Sequence, residues 1–527
     1  MERRDEKKNI TRAAGLMSVA TLISRILGYI KDMILAGFFG ATGIADTFFV
    51  AFRIPNLLRE LFAEGSMSSA FIPVLTEYQA KKGEQEARRL VRITFTFLLI
   101  VVGVLCLAGV IFSPAIVSVI APGFLSDPGK FSLTVLLTRI MFPFLLFISI
   151  ASLAMGALNI RRVFFIPSLA PVMLNISIIG AVLFIAPLME QPIITVAVGV
   201  VLGGFMQFAF QLPAYWKNGY SLQPAYDFGH AGLKKMALLI MPATMGMAVA
   251  QINIFVSTIL ASYLPEGSVT YLYYSMRLIQ FPVGIFGVAM ATAVLPTLSE
   301  HAVKGNYHEL RNDFSFALRL LFFITVPAMA GLIALREPIV NLLFQRGRFD
   351  YAATVGTAQA LLFYSIGIWS IVGVRTITAS FYSMQDTKTP VKIAAISVAV
   401  NVLFSIALMG PLKHSGLALA NSLASGLNFA LLFYFLRKRL ARVDGRRIAR
   451  SFLKTAFASL ATGVAGAALL HGEFWRSHGS TGLKIFSLGG TILFCVILYT
   501  AITYIIKSEE CLYMLGIVKR KVGNKIS

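Results

Sequence analysis

Charge is scarce in this chain. Only 13% of its 527 residues are Asp, Glu, Lys or Arg, against about 25% in an ordinary soluble domain. Acids are scarcer still, with 24 Asp and Glu beside 47 Lys and Arg. There are three cysteines, Cys106, Cys495 and Cys511, and their spacing fits neither a metal motif nor a disulfide framework. No GxxxxGK[ST] phosphate loop occurs, so the chain lacks the usual means of holding ATP for hydrolysis. No HExxH or Cys/His cluster offers a zinc site. These absences describe a chain that is no enzyme and needs no cofactor or metal.

The formal charge of +23 would point to nucleic acid in a soluble protein. Here the basic residues gather between apolar runs. The bias of Lys and Arg toward cytoplasmic loops, and their attraction to anionic lipid, account for most of the surplus. No nucleic-acid partner is expected.

What the chain does have is apolar length. Hydrophobic residues make up 57% of it, arranged in fourteen apolar segments. A bilayer needs about 20 such residues per helix. Only helices and closed barrels satisfy the backbone in lipid, and these runs are too long for barrel strands. The expected fold class is therefore an all-α polytopic membrane protein with about 14 transmembrane helices. Residues 1–12 form a charged arm that runs into a segment too long for a secretory signal.

Basic residues follow alternate segments: Lys81, Lys82, Arg88 and Arg89, then Arg161 and Arg162, then Arg437, Lys438 and Arg439. The intervening loops 40–43 and 187–192 lack them. The positive-inside rule places both termini in the cytoplasm. Arg336, Arg346 and Arg348 fall on the outer side instead, where the loop either packs on the protein or meets an external anion.

The chain also repeats itself. AFRIP (Ala51–Pro55) and FIPVLTEY (Phe71–Tyr78) are answered by SMRLIQFP (Ser275–Pro282) and VLPTLSEH (Val294–His301). ALNIRRVFFIP (Ala157–Pro167) is answered by FYSMQDTKTP (Phe381–Pro390). The offset is about 223 residues. Six segments per copy is an even number, so the copies share one orientation and a pseudo-two-fold lies along the membrane normal. Parallel repeats of this kind put a substrate site between the halves. The expected organisation is one six-helix lobe at 13–216 and a second at 232–438. Two extra C-terminal helices follow at 449–506, and then a cytoplasmic tail at 507–527. Pro55, Pro143, Pro242, Pro282 and Pro327 lie inside the helices, as packing kinks or as hinges.

The first two segments carry Arg25, Lys31, Asp32, Asp46, Arg53, Arg59, Glu60 and Glu64. A charge at mid-membrane costs about 2.5 kcal/mol or more on insertion scales and normally faces a polar interior. At about 1.5 Å per residue, Arg25 lies about 20 Å deep and Arg53 about 14 Å. Arg277, in segment 8, matches Arg53 in depth. Some of these charges would be structural ion pairs. Yet the bases outnumber the acids, and arginines in a wet cavity suit phosphate bidentately. Arg139 and Arg375 lie nearer segment ends, where snorkelling is the simpler account.

Taken together, SRILGYIKDMILAGFFG, ADTFFVAFRIPNLLRELFAEGSMSSAFIPVLTEY, YYSMRLIQFPVGIFGVAMATAVLPTLS and FYSMQDTKTPVKIA resemble the MurJ (MviN) family of lipid II flippases. That family sits in the multidrug/oligosaccharidyl-lipid/polysaccharide exporter superfamily. The resemblance implies two lobes around a cavity, with the last two helices forming a lipid-tail groove. It implies substrate binding by Arg25, Arg59 and Arg277, with Asp32 as an acidic partner and Asp46 as an outer-gate residue. Lys31 and Arg53 join the candidate set from their depth. This chain has Lys31 where the family often has arginine, Gln280 where a glutamate is common, and Glu60 where a second arginine is common.

The expected activity is transfer of undecaprenyl-pyrophosphate-linked peptidoglycan precursor (lipid II) from the inner to the outer leaflet of the bacterial cytoplasmic membrane by alternating access. Its partners would be lipid II, membrane lipids and the cell-wall synthesis machinery. The alternatives are a flippase for another polyprenyl-linked glycan, or a cation-coupled drug exporter of the same superfamily. The second would want acids and aromatics rather than arginines in its cavity.

Overall fold

A computed structural model describes residues 2–60, 70–440, 443–470, 472–476 and 479–516, with the side chains of 2–14 and 241–250 left aside. Helices dominate, and there is no strand among the described residues. Among the described residues, ten helices or helix pairs are long and apolar enough to cross a membrane, from Glu84–Ile111 to Thr481–Ile505. One of them, Lys388–Leu440, is two helices joined at Lys413, whose φ of 50° breaks the ladder two residues after Pro411. Proline cannot donate the backbone bond that would carry the helix through. Together with Glu2–Phe39, Gly43–Leu58 and Ala231–Ser262, these helices accommodate the fourteen apolar segments.

The surface is that of a membrane protein. Leu107, Ile111, Phe184, Phe486 and Ile497 are exposed on the helices, a distribution that only hydrocarbon solvates without cost. Packing inside lipid has no hydrophobic drive of its own, so small residues let backbones approach. Gly203 lies so close to Leu174 that an added Cβ would stand 2.9 Å from its Cα.

The chain divides into two compact units, Met1–Gly267 and Ser268–Ser527. The first therefore includes the helix Ala231–Ser262. Its core joins Phe71, Leu75, Leu90, Leu153, Tyr215 and Met236. In the second, Phe314, Phe322, Ile377, Phe381 and Leu432 form the core, with Trp369 edge-on to Phe429. Tyr499 of the last long helix donates its hydroxyl to the Phe323 carbonyl at 2.7 Å and so ties that helix to the lobe.

The breakers have visible effects. Pro143 separates Pro128–Met141 from Phe144–Ile160. Pro282 is followed by a π-turn over Val283–Gly287, a local widening often found at functional sites. The basic loop that carries Arg336 and Arg346 packs on the protein. Arg336 donates to the Ile333 carbonyl and Arg346 to the Leu342 carbonyl, each at 2.8 Å.

Candidate functional site

The helix Glu2–Phe39 changes surroundings along its length. Arg25 is exposed and, among the described residues, has no carboxylate partner. Seven positions on, Asp32 is fully buried beside Lys31, with 3.1 Å between Lys31 Nζ and Asp32 Oδ1. A buried charge needs such a partner. The face shared by Arg25 and Asp32 thus carries a guanidinium open to its surroundings at one level and a closed ion pair at another. The helix is held here by Asn175, whose amide donates to the Ser24 carbonyl at 3.2 Å.

Gly43–Leu58 supplies Asp46 in its first turn. Asp46 is 1% exposed. Its Oδ2 accepts the Gly267 N–H at 2.8 Å and lies 3.7 Å from Lys130 Nζ. The carboxylate also sits at a helix N-terminus, where negative charge is favoured. Lys130 in turn lies over the Phe124 ring. The Glu266 carboxylate fills the space beside Gly43. Asp46 therefore ties three segments of the first unit together: the turn after the first helix, the start of Pro128–Met141, and the chain at Gly267.

One to two turns further, Arg53 donates to Thr258 Oγ1 at 3.1 Å. Arg59 Nε donates to Asn56 Oδ1 at 3.1 Å, and its Nη2 lies 3.8 Å from Glu60 Oε1. Glu60 also accepts from Asn56 at 3.0 Å and from Gln251 at 2.6 Å. The result is a polar network between Gly43–Leu58, its π-turn at Arg59 and Glu60, and Ala231–Ser262. The amide of Asn56 bridges acid and base and fixes the guanidinium's orientation. Glu64 lies outside the described residues.

In the second unit Arg277 is half-buried on Ser268–Pro282. That helix is anchored two residues earlier by Ser275, whose hydroxyl donates to the Thr357 carbonyl at 2.8 Å. Arg139 is held by Ser113 Oγ at 2.9 Å.

Thr258, Gln251, Lys130 and Gly267 escape a reading of the sequence. Their partners stand 205, 191, 84 and 221 positions away, beyond any local spacing. The one usable signal was the polar character of Gln251 and Thr258 inside an apolar helix.

The profile described as "Lipid II flippase MurJ" matches residues 35–488. The chain belongs to the MurJ family. A Burkholderia cenocepacia protein named lipid II flippase MurJ is 38% identical over 435 residues, which are 82% of this chain and 84% of that one. A solved structure titled lipid II flippase MurJ, inward closed conformation, superposes with a TM-score of 0.77 at 27% identity, over 93% of this chain and 99% of the other. An inward-facing multidrug resistance MATE transporter of the MOP superfamily shares the fold, with a TM-score of 0.64 at 15% identity over 81% of this chain and 98% of the other. As a MurJ family member with these apolar helices, the protein is a multi-pass membrane protein of the bacterial inner membrane.

Proposed function

We propose that this protein is a transporter that moves lipid II from the inner to the outer leaflet by alternating access, with both termini in the cytoplasm. Family membership supports the reading. The observation that carries it is Arg25, an exposed guanidinium on the apolar stretch of the helix Glu2–Phe39 with no carboxylate partner among the described residues. Such a charge persists where it meets an anion, and the fork geometry of guanidinium suits the pyrophosphate of lipid II.

Arg25, Arg53 and Arg59 act as the anion ligands of the first unit, and Arg277 carries that role in the second. Arg59 is pre-oriented by Asn56, so little ordering entropy is spent when a phosphate arrives. Lys31 assists only when its pair with Asp32 opens, which makes Asp32 the competitor that loosens the grip during release. Asp46, tied to Lys130 and Gly267, serves as the outer gate. The undecaprenyl tail stays in lipid along helices 445–469 and 481–505. Each positive charge carried across the membrane is worth about 2.3 kcal/mol per 100 mV, so the potential can help drive the cycle. The cell-wall synthesis machinery receives the product.

The test is head-group translocation in vesicles carrying labelled lipid II, read by an impermeant enzyme at the outer leaflet. Arg25→Ala and Arg277→Ala, matched for expression and folding, are expected to abolish transport. Transport that survives both changes overturns the anion-clamp reading. A wild type that ignores lipid II while moving another polyprenyl glycan overturns the substrate assignment.

A further inference from the structure

The internal repeat holds to single residues in the turns of each unit that lie beside its basic clusters. Ala87 N–H donates to the Gly83 carbonyl, and Leu310 N–H to the Asn306 carbonyl, both at 3.2 Å. Val163 N–H donates to the Leu158 carbonyl at 3.0 Å, and Asp386 N–H to the Phe381 carbonyl at 2.9 Å. Arg162 and Gln385 both take the left-handed conformation, with φ of 60° and 59°. Every one of these pairs is 223 positions apart. The same step relates Glu84 to Tyr307, Arg88 to Arg311 and Arg161 to Met384.

In the first unit this corner is self-neutralised. Glu84 accepts from Arg161 at 2.6 Å and pairs with Arg88 as well. In the second unit the arginine is kept and the acid is gone. Tyr307 stands where Glu84 stood, and Arg311 has no carboxylate partner among the described residues. A cavity of about 430 Å³ opens there, lined by Tyr307, Arg311, Ser383, Met384, Gln385 and Arg439 among others. No acid lines it. Arg439, the second base, comes from the end of Lys388–Leu440 and pairs with Asp386, whose other bonds run to the Thr389 N–H and hydroxyl.

We infer that this cavity is an anion site, in which a phosphate-bearing ligand takes the place that the Glu84 carboxylate fills in the first unit. Two guanidiniums facing one cavity match phosphate oxygens. The volume is within the range of small-ligand pockets, and Met384 and Leu440 give the ligand an apolar wall. The site lies wholly in the second unit and uses none of the residues assigned to lipid II. Its phosphate has two sources with the same chemistry: a soluble phosphate ester, or the head group of an anionic phospholipid.

The experiment is hydrogen exchange on the full-length protein, read at the turns 302–308 and 383–388. One arm uses phosphatidylcholine nanodiscs with and without pyrophosphate. The other uses phosphatidylglycerol nanodiscs without soluble phosphate. Protection at both turns is expected in one arm or both, which identifies the source. It is expected to vanish in Tyr307→Glu, which restores the self-neutralised corner, and in Arg311→Gln. Wild-type protein unprotected in both arms overturns the site. So does protection that persists in folded Arg311→Gln, and that variant decides alone if Tyr307→Glu fails to fold.

Discussion

Lys31 and Asp32 are neighbours in sequence and partners in space, with 3.1 Å between charged atoms and both side chains nearly or wholly buried. Adjacent helical side chains do not normally face each other, so the pair exists because the long lysine stem folds back to the carboxylate. Removing one member takes the opposite charge away from a buried group, which costs about 3–5 kcal/mol, whereas replacing both with apolar residues is often neutral. Asp32→Leu alone is therefore expected to lower the thermal unfolding midpoint in detergent sharply. Lys31→Met with Asp32→Leu is expected to recover most of that loss, and a double variant as unstable as the single one sinks the account.

Asp46 separates two ways of holding a chain. Its Oδ2 accepts the Gly267 N–H and faces Lys130. Asp46→Asn keeps an oxygen for the backbone donor, while Asp46→Ala leaves that N–H unsatisfied at about 1–3 kcal/mol. Hydrogen exchange at 264–268 is expected to rise strongly in Asp46→Ala and only slightly in Asp46→Asn. Equal exchange in the two variants would place the hold on Lys130 rather than on the carboxylate–amide bond.

Apolar length, charge within apolar runs and the 223-residue repeat are all legible in the sequence, because each is a property of residues near one another or of one pattern compared with itself. Partner choice is not. Arg59 and Glu60 could be read as neighbours, but the amides of Asn56 and Gln251 that knit them together could not, since Gln251 comes from a helix 191 positions later. The compact units also divide the chain at Gly267, while the repeat begins its second copy near residue 232. Packing and duplication are separate divisions of one chain, and only duplication leaves a sequence signal.

Helix contact through glycine gives a sharp contrast between two positions. At Gly203 a Cβ would lie 2.7 Å from the Leu174 side chain and 2.9 Å from its Cα. Backbone cannot yield as a side-chain tip can, so Gly203→Ala forces the helices apart and forfeits close packing. At Gly103 nothing lies within 4 Å, and alanine there is expected to gain up to about 1 kcal/mol of helix propensity. Thermal unfolding of the two variants is expected to shift in opposite directions. A Gly203→Ala protein as stable as wild type refutes the contact.

The C-terminal helical turn after Ile505 is clamped by charge. Arg319, 4% exposed, donates to Glu509 at 2.8 Å and to Glu510 at 2.5 Å, and Arg447 reaches Glu509 at 2.6 Å. Hydrogen bonding from Arg447, with Arg319 adding to it against the opposing effect of burial, holds the Glu509 carboxyl below its ordinary 4.5. A depressed carboxyl contributes stability that is present above the unfolded value and lost as pH falls through the folded one. The clamp is therefore intact at neutral pH and releases only below about 4.5, seen as faster hydrogen exchange over 508–516. At neutral pH, Glu509→Gln is expected to mimic that release. Cys511 is 2% exposed, and in a background lacking Cys106 and Cys495 its labelling by a thiol reagent is expected to quicken. Labelling unchanged from wild type would assign the docking of this segment to Glu510 and to the packing of Tyr513 on Phe316, not to the Glu509 bridge.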